Sequence, residues 1–143
     1  MRQLASQLTQ SRYYSPAFNA AIFDGPVRIY FAQYQEALAL KIYFRIQDRL
    51  QGWLGPALQL GRLKLPNAFV MLYPTEEIFS NCFSTEQCAE RVVREKLGDD
   101  YVLGVCGPLR EEDFDSLFAH LEHVSTAWVG AARRPAPLVL AEV

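Results

Sequence analysis

Apolar and polar positions alternate most strictly between Val27 and Arg49. Val27, Ile29 and Phe31 share one side of an extended chain, and Arg28, Tyr30, Ala32 and Tyr34 share the other. Leu38, Leu40, Ile42, Phe44 and Ile46 then alternate with Ala39, Lys41, Tyr43, Arg45 and Gln47. A period of two is the signature of a half-buried antiparallel strand. The stretch therefore predicts a β-hairpin that turns between Gln33 and Ala37.

The same reading extends to both sides of it. Residues 2–10 form a short helix with Leu4 and Leu8 on one side. Ser15-Pro16 is an N-cap followed by proline at the first helical position. It opens a second short helix to Phe23, with Phe18, Ala21 and Ile22 inward, and Asp24-Gly25-Pro26 turns the chain. Ala57–Leu65 alternates with a slip, which a bulge at Gly61 accommodates. Arg62 and Lys64 then join the polar face of the hairpin. Ala68–Tyr73 is apolar throughout and reads as a central strand covered on both faces. A brief helical segment follows at Thr75–Asn81.

Ser84–Gly98 predicts a helix. Ser84 and Gln87 form a capping box, and Ala89, Val92, Val93 and Leu97 form its stripe. Glu90/Arg94 and Arg91/Glu95 pair four apart, and Gly98 is the stop. Tyr101–Cys106 is a second central strand, which with the preceding strand and helix suggests a right-handed parallel crossover. A last helix runs from Arg110 to Trp128, with Phe114, Leu117, Phe118, Leu121, Val124 and Trp128 on one face. The predicted order is α-β-β-β-β-α-β-α. It defines an α+β domain over 1–130 with a mixed, mostly antiparallel sheet of about five strands. Residues 131–143 are expected to be an extended, proline-containing tail.

Composition narrows the classes. The chain has 143 residues, half of them hydrophobic and 13% aromatic, which suits one packed core rather than a disordered segment. A net charge of −2 argues against a surface built throughout for nucleic acid, although not against a local basic patch. No apolar run reaches the length of a membrane-spanning helix. Residues 1–14 lack the apolar core of a secretory signal. Three cysteines, Cys82, Cys88 and Cys106, are a poor disulfide framework and fit a reducing compartment. A cytoplasmic protein is expected.

Candidate chemistry adds little to this. His120 and His123 lie three apart on the last helix, yet with the cysteines they match no zinc spacing. Cys82 is a loop thiol with no histidine brought to it by the sequence. Glycine-rich phosphate cradles and the nucleophile-elbow pattern are missing. No cofactor and no metal are expected. The hairpin's polar face remains, with Arg28, Tyr30, Tyr34, Lys41, Tyr43, Arg45, Arg62 and Lys64. Tyrosine and arginine on an open sheet suit a protein interface. They also suit a platform for stacked bases, and cross-strand Tyr–Arg pairs equally serve as plain stabilisation of an exposed face.

Asp24, Glu86, Glu90, Asp99 and Asp100 offer a second possibility. Antiparallel strands followed by helix, strand and helix resemble the element order of ribonuclease-H-like nucleases. That resemblance implies carboxylates holding a divalent metal for phosphodiester hydrolysis. The leading expectation is instead a small interaction or regulatory domain without catalysis, which binds a protein partner or forms a homodimer. The metal-dependent nuclease and a nucleic-acid-binding module are the alternatives.

Overall fold

The computed structural model describes residues 7–60, 65–83 and 90–133. Strand β1 (Ala20–Asp24) and strand β2 (Val27–Phe31) pair antiparallel, with Asp24 opposite Val27. Gly25 and Pro26 form the two-residue loop, and Gly25 has a φ of 62°. Positive φ at the first loop residue matches the twist of paired strands, and glycine adopts it without steric penalty. The predicted helix from Ser15 to Phe23 is thus corrected. Phe18 does point inward, but Ala20–Asp24 gains a full ladder by pairing with β2.

The larger correction follows β2. After a short 3-10 turn at Gln33–Gln35, residues Glu36–Leu60 form one helix of 25 residues, α1. The second strand of the expected hairpin is therefore helical. Ala39, Ile42, Ile46, Leu50, Trp53 and Leu54 are buried, at the three-and-four spacing of a helix stripe. Phe44, inward in the strand reading, is 56% exposed. Apolar residues at both spacings let the segment satisfy either period up to Ile46. Only the helical period continues to Trp53, and Glu, Ala, Leu and Lys are strong helix formers.

Helix α1 joins β2 to strand β3 (Ala68–Tyr73), which lies parallel to β2. Residues 57–60, expected in a strand, end this helix. Gly61, Arg62 and Lys64 lie outside the described residues. All six residues of β3 are buried and β3 is the middle strand of the sheet, as its unbroken apolar run predicts. The brief helix after it is α2 (Glu76–Cys82). Thr75 caps it, with the side-chain oxygen accepting from the Ile78 N–H at 3.1 Å.

The helix expected over Ser84–Gly98 is also corrected. Val92–Leu97 is strand β4, paired antiparallel with β5 (Asp100–Cys106). Gly98, read as a helix stop, opens the two-residue loop between them with a φ of 63°. Ser84, Gln87, Cys88 and Ala89 lie outside the described residues. Strand β5 lies parallel to β3, so the expected parallel relation of the two apolar strands holds. Helix α3 (Glu111–Arg133) closes the described chain. Its six predicted core residues are all buried. It continues through residues 131–133, which were assigned to the tail.

The result is an α+β fold with a five-stranded mixed sheet in the order β1-β2-β3-β5-β4. Two pairings are antiparallel and two are parallel, so the balance is even rather than mostly antiparallel. The element order among the described residues is β-β-α-β-α-β-β-α. Among the described residues it lacks the run of successive antiparallel strands before helix, strand and helix that carries the nuclease resemblance.

Three layers result. Helices α1 and α3 cover one face through Val27, Ile29, Val70, Leu72, Leu103 and Val105. Leu8, Tyr13, Phe18 and the α2 residues Phe79 and Cys82 cover the other, over Phe69, Met71, Tyr73 and Val102. Trp128 donates its indole N–H to the Pro66 carbonyl at 2.7 Å, which fixes α3 to the entry of β3.

Candidate interaction surface

Conversion of residues 36–60 to helix disperses the expected Tyr/Arg face. Arg28 and Tyr30 stay together on β2, on the sheet face opposite α1. Lys41 and Arg45 lie one turn apart on α1 and turn toward α3. The Lys41 ammonium is 5.5 Å and the Arg45 guanidinium 4.2 Å from the Phe114 ring centre, and Arg49 lies 4.1 Å from that of Phe118. Arg45 also donates two hydrogen bonds to the Glu111 carboxylate, each 2.9 Å. This pair holds the Glu111 carboxyl below its ordinary range. Tyr43 points the other way and donates to Asp24 Oδ2 at 3.0 Å. Tyr34 stands apart in the 3-10 turn, 77% exposed. The basic side chains of α1 thus stitch two helices together and form no platform on the sheet.

Asp24, Asp100 and His120 are likewise engaged in the fold. Asp100 is buried, and its Oδ1 accepts from the Asn67 N–H at 2.7 Å and from Asn67 Nδ2 at 3.3 Å. Asp24 accepts from Tyr43. Glu86 lies outside the described residues. His120 Nδ1 lies 2.8 Å from Arg94 Nη1. Burial first, and then the neighbouring Arg94 charge, lower its pKa. Among the described residues no three His, Cys, Asp or Glu side chains gather where they could hold a metal ion. Cys82 is buried behind Tyr73, and burial pushes its thiol pKa up, the opposite of an activated nucleophile.

What remains open is an edge of the sheet. Strands β1 and β4 are its two edges. Strand β4 reads VVREKL, and its charges are tied down. Arg94 meets His120, Glu95 accepts from the Tyr13 hydroxyl, and Lys96 lies 5.1 Å from the Tyr101 ring centre. Charged side chains along an edge are a common defence against pairing with another chain. Strand β1 reads AAIFD and carries charge only at its end. Among the described residues nothing pairs with its outer side.

Arg28 and Tyr30 stand behind this edge. Phe23 is 60% exposed, with the Arg28 guanidinium 4.9 Å from its ring centre and the Tyr30 ring edge-on at 5.9 Å. The Arg28 Nε is buried and has no hydrogen-bond partner among the described residues. Burial raises the Tyr30 pKa, so its hydroxyl is neutral across the ordinary pH range. Beside Ala21 runs a groove of about 430 Å³, walled by Leu8, Tyr14, Phe18, Ala20 and Tyr30.

Of the expected face, then, Arg28 and Tyr30 survive as the backing of this surface. Ala21, Phe23, Tyr14 and Phe18 belong to it and escape a reading that makes residues 16–23 a helix. The signal was present. Glycine at the first of two residues between apolar runs, as in Ile22-Phe23-Asp24-Gly25-Pro26-Val27, is a hairpin loop.

No family model, curated protein or solved structure matches this chain. No helix among the described residues is long and apolar enough to cross a membrane.

Proposed function

We propose that this protein is a non-catalytic, cytoplasmic interaction domain that takes up an extended, largely apolar strand from a protein partner along the outer side of β1. The observation that carries this reading is the contrast between the two sheet edges. Strand β4 is charged and its charges are engaged, whereas β1 is apolar and its outer side is unpaired among the described residues. An added strand gains main-chain hydrogen bonds from such an edge. Pockets for alternate side chains supply the specificity. The groove beside Ala21 and the Phe23 ring provide those contacts on the face that carries Arg28 and Tyr30.

The test uses a fluorescent, end-capped seven-residue peptide of alternating valine and threonine, followed by anisotropy with dilute protein. Saturable binding is expected. Ala21→Lys, at an exposed edge position, is expected to weaken it at least tenfold, and Lys96→Ala on the opposite edge to leave it unchanged. Absent binding at concentrations where the chain is monomeric, or binding indifferent to Ala21→Lys, rejects the proposal.

A further inference from the structure

We infer that the strand received by β1 is β1 of a second copy of this chain, paired antiparallel about a two-fold axis through Ile22. This rests on the reading of β1 as a strand-accepting edge and names its occupant.

Strand β1 is complementary to itself about this axis. Side chains alternate between the two faces of a strand, and directly opposed residues in a sheet share a face. A two-fold axis perpendicular to the sheet keeps each residue on its own face. Residues of opposite parity therefore cannot oppose one another, and the axis must pass through a residue. Centring on Ile22 alone pairs every residue of β1. Ala20 then faces Asp24 of the second copy, Ala21 faces Phe23, and Ile22 faces Ile22.

Each of these oppositions is physically favourable. The exposed Phe23 ring meets the smallest side chain on its face, and beside that alanine lies the groove of about 430 Å³. A phenyl ring there is walled by Tyr14, Phe18 and Tyr30, in reach of the offset or edge-on aromatic contacts that such rings prefer. The two Asp24 carboxylates fall at opposite ends of the pairing. Four residues of strand separate them by roughly 13 Å, beyond the roughly 8 Å screening length at physiological salt. A shift to the register centred on Phe23 would oppose the two rings and bring each Asp24 opposite Ile22. A shift to Ala21 would leave Asp24 opposite no residue of β1 and set the Phe23 ring against the polar Asn19 instead of Ala21. The pairing also covers an edge that is unpaired among the described residues, the feature that otherwise invites uncontrolled strand addition.

Light scattering on the full chain across a hundredfold concentration range tests the inference. A dimer is expected. Ala21→Lys sets a long charged side chain against Phe23 of the second copy, and Phe23→Ala empties the groove. Both positions are exposed, so the fold, checked by circular dichroism, should persist. Each variant is expected to raise the dimer dissociation constant at least tenfold. Ile22→Cys places two thiols across the axis and is expected to give a disulfide-linked dimer on mild oxidation, whereas Gln47→Cys on α1 should not. A dimer that survives both edge variants and is lost with Phe44→Glu overturns strand pairing in favour of a helix contact. A monomer at every concentration that still binds the valine–threonine peptide at β1 overturns the second copy and leaves the strand-accepting edge standing. A monomer that binds no peptide overturns both.

Discussion

Asp100 and Asn67 form a buried clip between the starts of the neighbouring interior strands β3 and β5. The Asp100 carboxylate accepts from both the backbone and the side chain of Asn67, and the Asn67 carbonyl accepts from the Tyr101 N–H at 2.9 Å. Parallel neighbours have no hairpin to set their register, so a side-chain clip at one end is a direct way to set it. Asp100→Ala should cost about 2 kcal/mol, because it leaves the buried Asn67 N–H without an acceptor. Asp100→Asn, which keeps Oδ1, should cost less. Urea denaturation measures both, and an alanine variant as stable as the parent protein would show that the clip is dispensable.

Gly104 and Phe83 define a second close relation. A Cβ on Gly104 would sit 2.3 Å and 2.6 Å from two atoms of the Phe83 ring. That ring is held by Tyr13, Tyr73 and Phe79, with centres 5.1 to 5.8 Å away. The ring is only 3% exposed, so a shift would disturb these neighbours. Gly104→Ala should therefore destabilise by roughly 1–3 kcal/mol, the usual cost of overpacking. Phe83→Leu in the same chain removes the clashing ring edge and should recover part of that loss, so the two changes should be non-additive. Strictly additive losses in thermal or denaturant unfolding would show that Gly104 is needed for some other reason.

Stability should fall at high pH through Tyr13. Burial, followed by its hydrogen bond to Glu95 and the charge there, raises this phenol from 10.0 to about 12. The folded state thus holds its proton after the unfolded chain has released it. In that window the unfolded state binds fewer protons, so stability declines as pH rises. The contribution is complete below about pH 10 and is lost as pH climbs through about 12. Tyr73, deeper in the same cluster, is raised by burial in the same direction. Tyr13→Phe should flatten the decline between these limits in a series of urea titrations. An equally steep decline in the variant would move the effect to Tyr73.

Much of the fold was legible where one period dominated. Ala68–Tyr73 and Tyr101–Cys106 are apolar on both faces and too short for anything but interior strands. Phe114 to Trp128 repeats at three and four without a competing period. Leu38 to Ile46 carried both periods, so its alternation was true of the sequence and untrue of the fold. Ala20–Asp24 and Val92–Leu97 are edge strands of five and six residues, short enough that local cap and charge-pair signals outweighed their weak alternation. The candidate surface suffered accordingly. Arg28 and Tyr30 share a strand face as expected because β2 was read correctly. Lys41, Tyr43 and Arg45 were misplaced with the helix that carries them, and Phe23 was hidden inside a helix that does not form.

The sequence by itself determined most of the residues that avoid water, where the chain turns at Gly25 and Gly98, and that helices pack against a mixed sheet. These follow from local sterics and from the period of apolar side chains, which each segment carries in its own residues. Only the tertiary structure decided that Glu36–Leu60 is a helix, that β3 lies between β2 and β5, and that β1 is left as an apolar edge. Those outcomes depend on which partners a segment meets. A helix laid over the sheet buries Ile42, Ile46, Leu50 and Trp53 together, and an edge unpaired among the described residues exists only once every other strand has found its neighbour.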